Sequence, residues 1–473
     1  MPTPIADSTP KLQQAFRALT AALEQQQHDR IEEIVRETPG AARVSDGLCR
    51  TPLMDAAVVG DTQSVCLLLP HSEPNAKNNE GLTALMMAAE GGHRDCVEAL
   101  LPRSAANARS REGLSALMMA ADGGHHDCVE ALLPHSDARL QSDTGWSALM
   151  CAARSKNPES VRLLLPASDP TQADNHGRTP LMEAASSGVV ACVARLLPVS
   201  NPLAHDQFGY TALHHAADNC MTGAILALLP FSDPNACGGF AQRTALEIAA
   251  WRRDLPSVEA LVDATNQQGR DLALITAADV SATSCVRALL PRADPMAKDT
   301  HGRTALLAAL SPDTVLTLKQ PEAVLTCAKM LIPVSDVLRK DKCGDTVFMA
   351  AMARDHAPLL DLIASHCGPA EWERACERFE PLRLPMTHAA RERADLVEAV
   401  KSAPPRELEV AEVAARAIVQ REALEGSAAP ARPAPAEPAR ATKAPRPQAA
   451  ASPPQQAPAA ATTRPRPRSA ARL

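Results

Sequence analysis

The chain has 473 residues, 45% apolar but only 2% aromatic, so its core must be built from Ala, Leu, Val and Met. That composition suits closely packed helices better than a sheet, which favours β-branched and aromatic residues. The net charge of −7 joins an acidic body (40 basic against 54 acidic side chains) to a tail, 426–473, with eight Lys/Arg and one Glu, and this excludes a fold built to bind nucleic acid.

In chain order, the start "MPTPIADSTPKLQQ" lacks the basic residues and apolar run of a cleaved signal peptide. Residues 1–14 read as a flexible N-terminus. "LTAALEQQQHDRIEEIV" (Leu19 to Val35) reads as an imperfect unit that caps the N-terminal end of a repeat array. The pattern Thr/Ser-x-Leu-x-x-Ala-Ala then begins at Thr51, Thr83, Ser115, Ser147, Thr179 and Thr211, with a spacing of 32, and at Thr244 after 33. Weaker copies begin at Leu272, Thr304, Thr346 and Leu384. The repeat array therefore spans 15–402, regular over 51–264 and irregular over 265–402. The interval from Thr244 to Leu272 is only 28 residues, which predicts a truncated connecting finger. Extra residues fall near Ser311 to Ala323 and Cys367 to Glu380. Residues 403–425 predict an amphipathic helix, with Leu408, Val413, Ile418 and Leu424 closing the array. The Ala/Pro/Arg-rich tail 426–473 cannot form a core and reads as disordered. No apolar window reaches the roughly 18 residues of a membrane span.

Each unit predicts two short helices. Thr83 or Ser115 is a natural N-cap, and where Pro occurs (Pro52, Pro180, Pro385) it takes the first helical position. Leu85, Ala88 and Ala89 mark the buried side of the first helix, and adjacent alanines allow close helix approach. "GGH" or "SSG" ends it. Val97, Leu100 and Leu101 mark the second helix, which Pro102 and its counterparts stop. Such a unit cannot bury its apolar face alone, so the units must stack into a solenoid.

"DNHGRTPLMEAASSGVVACVARLL" (Asp174 to Leu197) and "GYTALHHAAD" (Gly209 to Asp218) resemble ankyrin repeats, and the likeness extends over roughly residues 15 to 400. One departure is consistent. The family usually ends its second helix with a Gly-containing turn, whereas "LLPHSEPN" (Leu68 to Asn75) uses Pro and is one residue shorter, giving 32 rather than 33. The resemblance implies an all-α ankyrin-repeat solenoid of about 11–12 units that binds a partner protein.

The near-duplicates Gly81 to Pro102 and Gly113 to Pro134 gather His93, Asp95 and Cys96, then His125, His126, Asp127 and Cys128. Stacked equivalent helices lie about 8–10 Å apart, too far for their cysteines to share a zinc, which needs sulfur at about 2.3 Å. Cys96, Cys128, Cys192, Cys285 and Cys327 share one repeat position and read as small buried side chains. Thirteen cysteines, an odd number without CxxC spacing, point to reduced thiols in a cytosol-like compartment. His214 and His215 read as core or bracing residues; in ankyrin repeats a His at the place of His214 is often structural. Met54, Met86, Met118, Met150 and Met182 read as core. No GxSxG, phosphate loop, kinase-type motif or nucleophile–base set emerges, so neither catalysis nor a metal or cofactor is expected. "PARP" and "PAEP" in the tail follow from its composition and read as tether rather than as a ligand motif.

With ten aromatics in the chain, their placement is informative. Trp146 and Tyr210 stand just before an N-cap, Phe208 and Phe240 in fingers, and Trp251 at an inner-helix end. Arg178 and Arg252 fall in the same set. The ankyrin resemblance makes these finger-tip and inner-helix positions partner-contacting, and aromatic and Arg residues supply most interface hot spots. The expected function is a scaffold binding another protein on a concave, finger-lined face, in the cytoplasm. The Ala/Arg/Pro usage looks bacterial, and the polar start Thr3 to Pro10 is compatible with secretion into a host cell without a cleaved signal, as an effector. The alternative is an enzyme or regulatory module with its active part in 311–425.

Overall fold

The computed structural model describes residues 3–366 apart from 6–7, 311–320, 338, 345, 348–349 and 352–356. The expected closing helix 403–425, the tail 426–473, the copy at Leu384 and most of 311–425 lie outside the described residues. Two leading helices, α1 (Pro10–Glu24) and α2 (His28–Glu37), form the unit that precedes the regular repeats. Helix α1 begins at Pro10, inside the stretch expected to be a flexible N-terminus, and β1 (Thr3–Pro4) pairs in parallel with β2 (Val44–Ser45).

The regular repeats are helix pairs: α3 (Pro52–Val59) with α4 (Thr62–Leu68), α5 (Ala84–Glu90) with α6 (Arg94–Leu100), and α7 (Ala116–Asp122) with α8 (His126–Leu132). Next come α9 (Ala148–Arg154) with α10 (Pro158–Leu164), α11 (Pro180–Ser187) with α12 (Val190–Leu196), and α13 (Ala212–Asp218) with α14 (Thr222–Leu228). Then α15 (Ala245–Trp251) pairs with α16 (Leu255–Leu261), α17 (Gln267–Asp279) with α18 (Thr283–Leu289), and α19 (Ala305–Leu310) with α20 (Pro321–Leu331); a last described helix is Ala357–His366. Inner helices pack on inner helices, α3 on α5 through to α17 on α19, and outer on outer, α2 on α4 through to α18 on α20.

The repeat letters explain the pairs. The hydroxyls of Thr83, Ser115 and Ser147 each accept the N–H of the third helical residue, at 3.3 Å from Met86, Met118 and Met150. Leu85, Ala88 and Ala89 are fully buried, as are Val97 and Leu100 behind them and the methionines of the third helical position. Burying apolar surface in every repeat is the main stabilising term. Pro70, Pro102 and Pro134 do more than stop the second helix: each opens a 3-10 turn, such as Leu69–His71, before the chain turns extended at a Ser.

"GGH" also has a packing reason. His93 Nε2 donates to the carbonyl of Val58 and His125 Nε2 to that of Glu90, both at 3.0 Å, so each imidazole ties one inner-helix end to the next repeat. A Cβ on Gly92 would come within 2.5 Å of His125 Nδ1, and Gly92 has a φ of +74°, so both space and backbone require glycine.

One expected boundary moves. Leu272 does not begin a helix; α17 starts at Gln267, because the Asn266 side chain accepts the N–H of Gly269 at 2.8 Å. The finger expected to be truncated is replaced by helix.

Candidate functional site

Between helix pairs the chain projects as fingers. In most of them a side chain five residues before the N-cap builds a tight turn; before Thr244 that place is Gly239. Asp206 Oδ1 accepts the N–H groups of Phe208 and Tyr210, each at 2.9 Å, and Asn78 does the same for Glu80 and Leu82. From Asn79 to Gly239 each finger also donates one backbone hydrogen bond to the finger before it, for example Arg111 N to Glu80 O at 2.9 Å, Asn175 N to Thr144 O at 3.1 Å, and Gly239 N to Phe208 O at 2.7 Å.

Three repeat positions meet on the finger side of the inner helices. The residue before the N-cap runs Leu82, Leu114, Trp146, Arg178, Tyr210, Arg243. The fourth after it runs Met87, Met119, Cys151, Glu183, His215, Ile248. The seventh runs Glu90, Asp122, Arg154, Ser186, Asp218, Trp251.

Trp146 is half-buried against the core, with the Arg154 guanidinium 4.5 Å from its ring centroid and Arg178 at 6.0 Å. Asp122, one repeat earlier, holds Arg154 through bonds of 3.1 Å from Nε and 2.5 Å from Nη2. Arg178 pairs with Glu183 at 2.8 Å. Burial raises the Glu183 pKa above the usual carboxyl range against the pull of Arg178. Further along, Trp251 is 40% exposed, with Arg252 at 4.9 Å and Arg243 at 5.8 Å from its ring. Asp218 holds Arg252 at 2.8 Å, repeating the Asp–Arg–Trp arrangement. Such stacking orients the guanidinium while leaving its edge open.

Tyr210 lies inward. Its ring stands 5.5 Å from His214 and 5.9 Å from His215 and lies along Gly238 and Gly239, where added Cβ atoms would reach it at 2.8 and 2.4 Å. His214 is a brace: Thr211 N–H donates to its Nδ1 at 3.2 Å, and its Nε2 donates to the Arg243 carbonyl at 3.2 Å. That places the proton on Nε2 of a neutral ring, and burial lowers its pKa accordingly. His215 bonds through Nε2 to Asp206 Oδ2 at 3.1 Å. Burial lowers its pKa too, with the Asp206 charge acting in the opposite sense.

Phe208 and Phe240 meet at adjacent finger tips, ring centroids 5.9 Å apart, and are 44% and 97% exposed. The seven residues expected from the sequence thus fall into Trp146 with Arg178, Phe208 with Phe240, Trp251 with Arg252, and an inward Tyr210. Asp122, Arg154, Asp218, Arg243, Glu183 and the Asp206–His215 pair were not singled out. For Asp122, Arg154 and Asp218 the signal is the charged column at the seventh position, which the 32-residue spacing stacks; for Glu183 and His215 it is the polar residues that replace Met87 and Met119 at the fourth.

The recurrent cysteines are buried on the outer helices. Burial pushes the Cys128 and Cys192 thiols up to about 11 and Cys327 to about 12, which keeps them protonated and inert. Among the described residues no group of three or more His, Cys, Asp or Glu is placed to hold a metal, and no helix is long and apolar enough to cross a membrane.

A family profile described as ankyrin repeats (three copies) matches in overlapping segments, 18–112, 53–140, 100–174, 117–201 and 166–239. This is an ankyrin-repeat protein. Its stacked helix pairs form an all-α ankyrin solenoid, and ankyrin repeats are generally protein–protein interaction modules. Among solved structures, the crystal structure of the human ASB11 ankyrin repeat domain is similar, with 26% identity and a TM-score of 0.40, over 46% of this chain and 99% of that one. No curated protein matches the ankyrin-repeat chain.

Proposed function

We propose that the array is a scaffold that captures a partner protein on its concave, finger-lined face over the repeats anchored at Ser147, Thr179, Thr211 and Thr244. The observation that carries this reading is the Phe208–Phe240 pair. Two exposed, mutually packed rings stand at finger tips, and the same run of four repeats carries two tryptophans whose arginines are already oriented. Large apolar groups held in water gain by burial against a partner. A surface fixed by its own ion pairs loses little freedom on binding.

The test is affinity purification with the wild-type chain and with Phe208→Ala, Phe240→Ala, Trp251→Ala combined. These side chains project outward, so circular dichroism should be unchanged. Partners retained equally by the triple variant would place the binding face elsewhere. Tyr210→Ala is the poorer probe, because that ring packs between fingers. The reading as a cytoplasmic or host-delivered effector rests on composition and on the polar start. Fusion of residues 1–50 to a translocation reporter tests it, and absence of transfer counts against delivery. Ankyrin arrays are typically non-enzymatic scaffolds. The alternative of an active part in 311–425 falls mostly outside the described residues.

A further inference from the structure

One carboxylate on the finger side is buried with half of its hydrogen-bonding capacity unused. Asp174 is 7% exposed. Its Oδ1 accepts the N–H groups of His176 at 2.9 Å and Arg178 at 2.8 Å, which builds the finger turn. Its Oδ2 is enclosed and meets no hydrogen-bond donor among the described residues. An enclosed carboxylate oxygen without a donor is unfavourable unless something supplies one.

The next repeat shows where this oxygen points. Asp206 holds the same position, and its Oδ2 meets His215 Nε2 at 3.1 Å. His215 is the fourth residue past its N-cap. In the repeat of Asp174 that fourth residue is Glu183, itself 5% exposed. Asp174 therefore turns toward a second carboxylate where its counterpart turns toward an imidazole, and its negative charge raises the Glu183 pKa further. Arg178 answers from one side only: its Nε and Nη2 both end on Glu183 Oε1, at 3.1 and 2.8 Å. Asp174 also lies under the finger that carries Trp146, since a Cβ on Gly145 would come within 2.9 Å of its Cα. Beside Asp174 and Glu183 stands one guanidinium, Arg178; Arg154, whose charge also reaches Glu183, is already held by Asp122. The place lacks positive charge.

The missing group is not a metal ion. Arg178 already occupies one Glu183 oxygen, and no three ligating side chains converge among the described residues. A slender ammonium fits better: it brings three donors, and its methylene stem can lie along an indole. We propose that the carboxylate pair Asp174 and Glu183 receives the ammonium group of a lysine side chain presented by the partner protein. This rests on the reading of the finger-lined face as the partner-binding surface.

The full chain is titrated with N-acetyl-lysine methylamide and, separately, with N-acetyl-norleucine methylamide, its uncharged counterpart. The backbone amide signals of His176 and Arg178 are followed by NMR. Saturable shifts are expected with the lysine compound alone. Asp174→Asn keeps the turn, because Asn78 fills the same position and its Oδ1 accepts the Leu82 N–H at 2.8 Å. That variant should bind the lysine compound about tenfold more weakly or worse, and Glu183→Gln should weaken it in the same direction. Equal shifts from norleucine, or an Asp174→Asn variant that binds like wild type, would overturn the proposal. Either outcome can coexist with partner capture that depends on Phe208, Phe240 and Trp251, so failure of the carboxylate pair and failure of the face are told apart.

Discussion

The repeats anchored at Thr83 and Ser115 are nearly identical through their helices, whereas those anchored at Thr179, Thr211 and Thr244 keep the Leu and Ala-Ala pattern and diverge elsewhere. In the first region Met87 and Met119 floor the finger side, Leu82 and Leu114 edge it, and His93 and His125 brace the glycine turns. In the second region the same sites hold Glu183 and His215, then Arg178, Tyr210 and Arg243. The buried rows barely change: Leu85, Leu117, Leu181 and Leu213 are all buried to 1% exposure or less. The leucine and alanine packing is therefore common to both regions, and the chemical differences fall on the finger side, at the third helical position, where Glu247 and His214 replace Met, and in the turn between paired helices. A solenoid permits this, because each repeat answers structurally only to its neighbours.

The largest test of the comparison is a matched pair of core truncations. Leu117→Ala and Leu213→Ala should each cost about 2–5 kcal/mol in urea unfolding. Leu117→Ala should leave partner capture by the folded protein intact. A much smaller cost in the second region would mean that its packing is not equivalent.

A smaller effect separates the regions by pH. Glu247 is buried at the third helical position, where the first region has Met86 and Met118. Its Oε1 accepts from Thr244 N–H and Oγ1, each at 3.1 Å. Burial raises its pKa above the ordinary 4.5, outweighing those bonds. The folded chain thus holds this proton more tightly than the unfolded chain. The group's contribution is whole below the unfolded value and declines as pH rises through the folded one. Glu247→Gln keeps an acceptor for Thr244 and should gain stability over wild type as pH is raised from 4 to 7. Parallel stability curves for the two proteins would contradict the burial argument.

The smallest effect concerns the turn between paired helices. The first region uses Gly92 and Gly124 there, both at positive φ, as do Gly60 and Gly188 in the repeats of Thr51 and Thr179; the repeats of Ser147, Thr211 and Thr244 put Lys156, Cys220 and Arg253 in the same left-handed conformation. Lys156→Gly should raise stability by about 0.5–1 kcal/mol, net of the entropy glycine adds to the unfolded chain. The measurement is the thermal midpoint, and no rise would mean that the lysine side chain contributes more than its strain costs.

The fold was legible because period, N-cap and alanine pair recur together, each dictated by local geometry. The Thr211–His214 brace and the buried methionines followed from the same register. The surface was only partly legible. Arg154 and Asp122 are 32 residues apart, so the period stacks them, but the turn of Arg154 onto the Trp146 ring depends on side-chain rotamers that the period does not encode. Tyr210 reads like Trp146 at its position, yet the glycines at 238 and 239 let its ring lie flat between fingers. Leu272 misled because the repeat pattern persists inside α17 while Asn266 starts the helix five residues earlier.

The backbone bonds between fingers form a ladder whose rungs run from Asn79 N–Leu48 O to Gly239 N–Phe208 O and resume at Lys342 N–His301 O. At α17 a helix stands where a finger would carry the next rung. On either side, the fingers behave as a laced edge that resists shear between repeats. Among the described residues the lacing is interrupted at this junction, just beyond Phe240 and Trp251, and there the packing of α17 on α15 and α19, rather than a rung of the ladder, couples one repeat to the next.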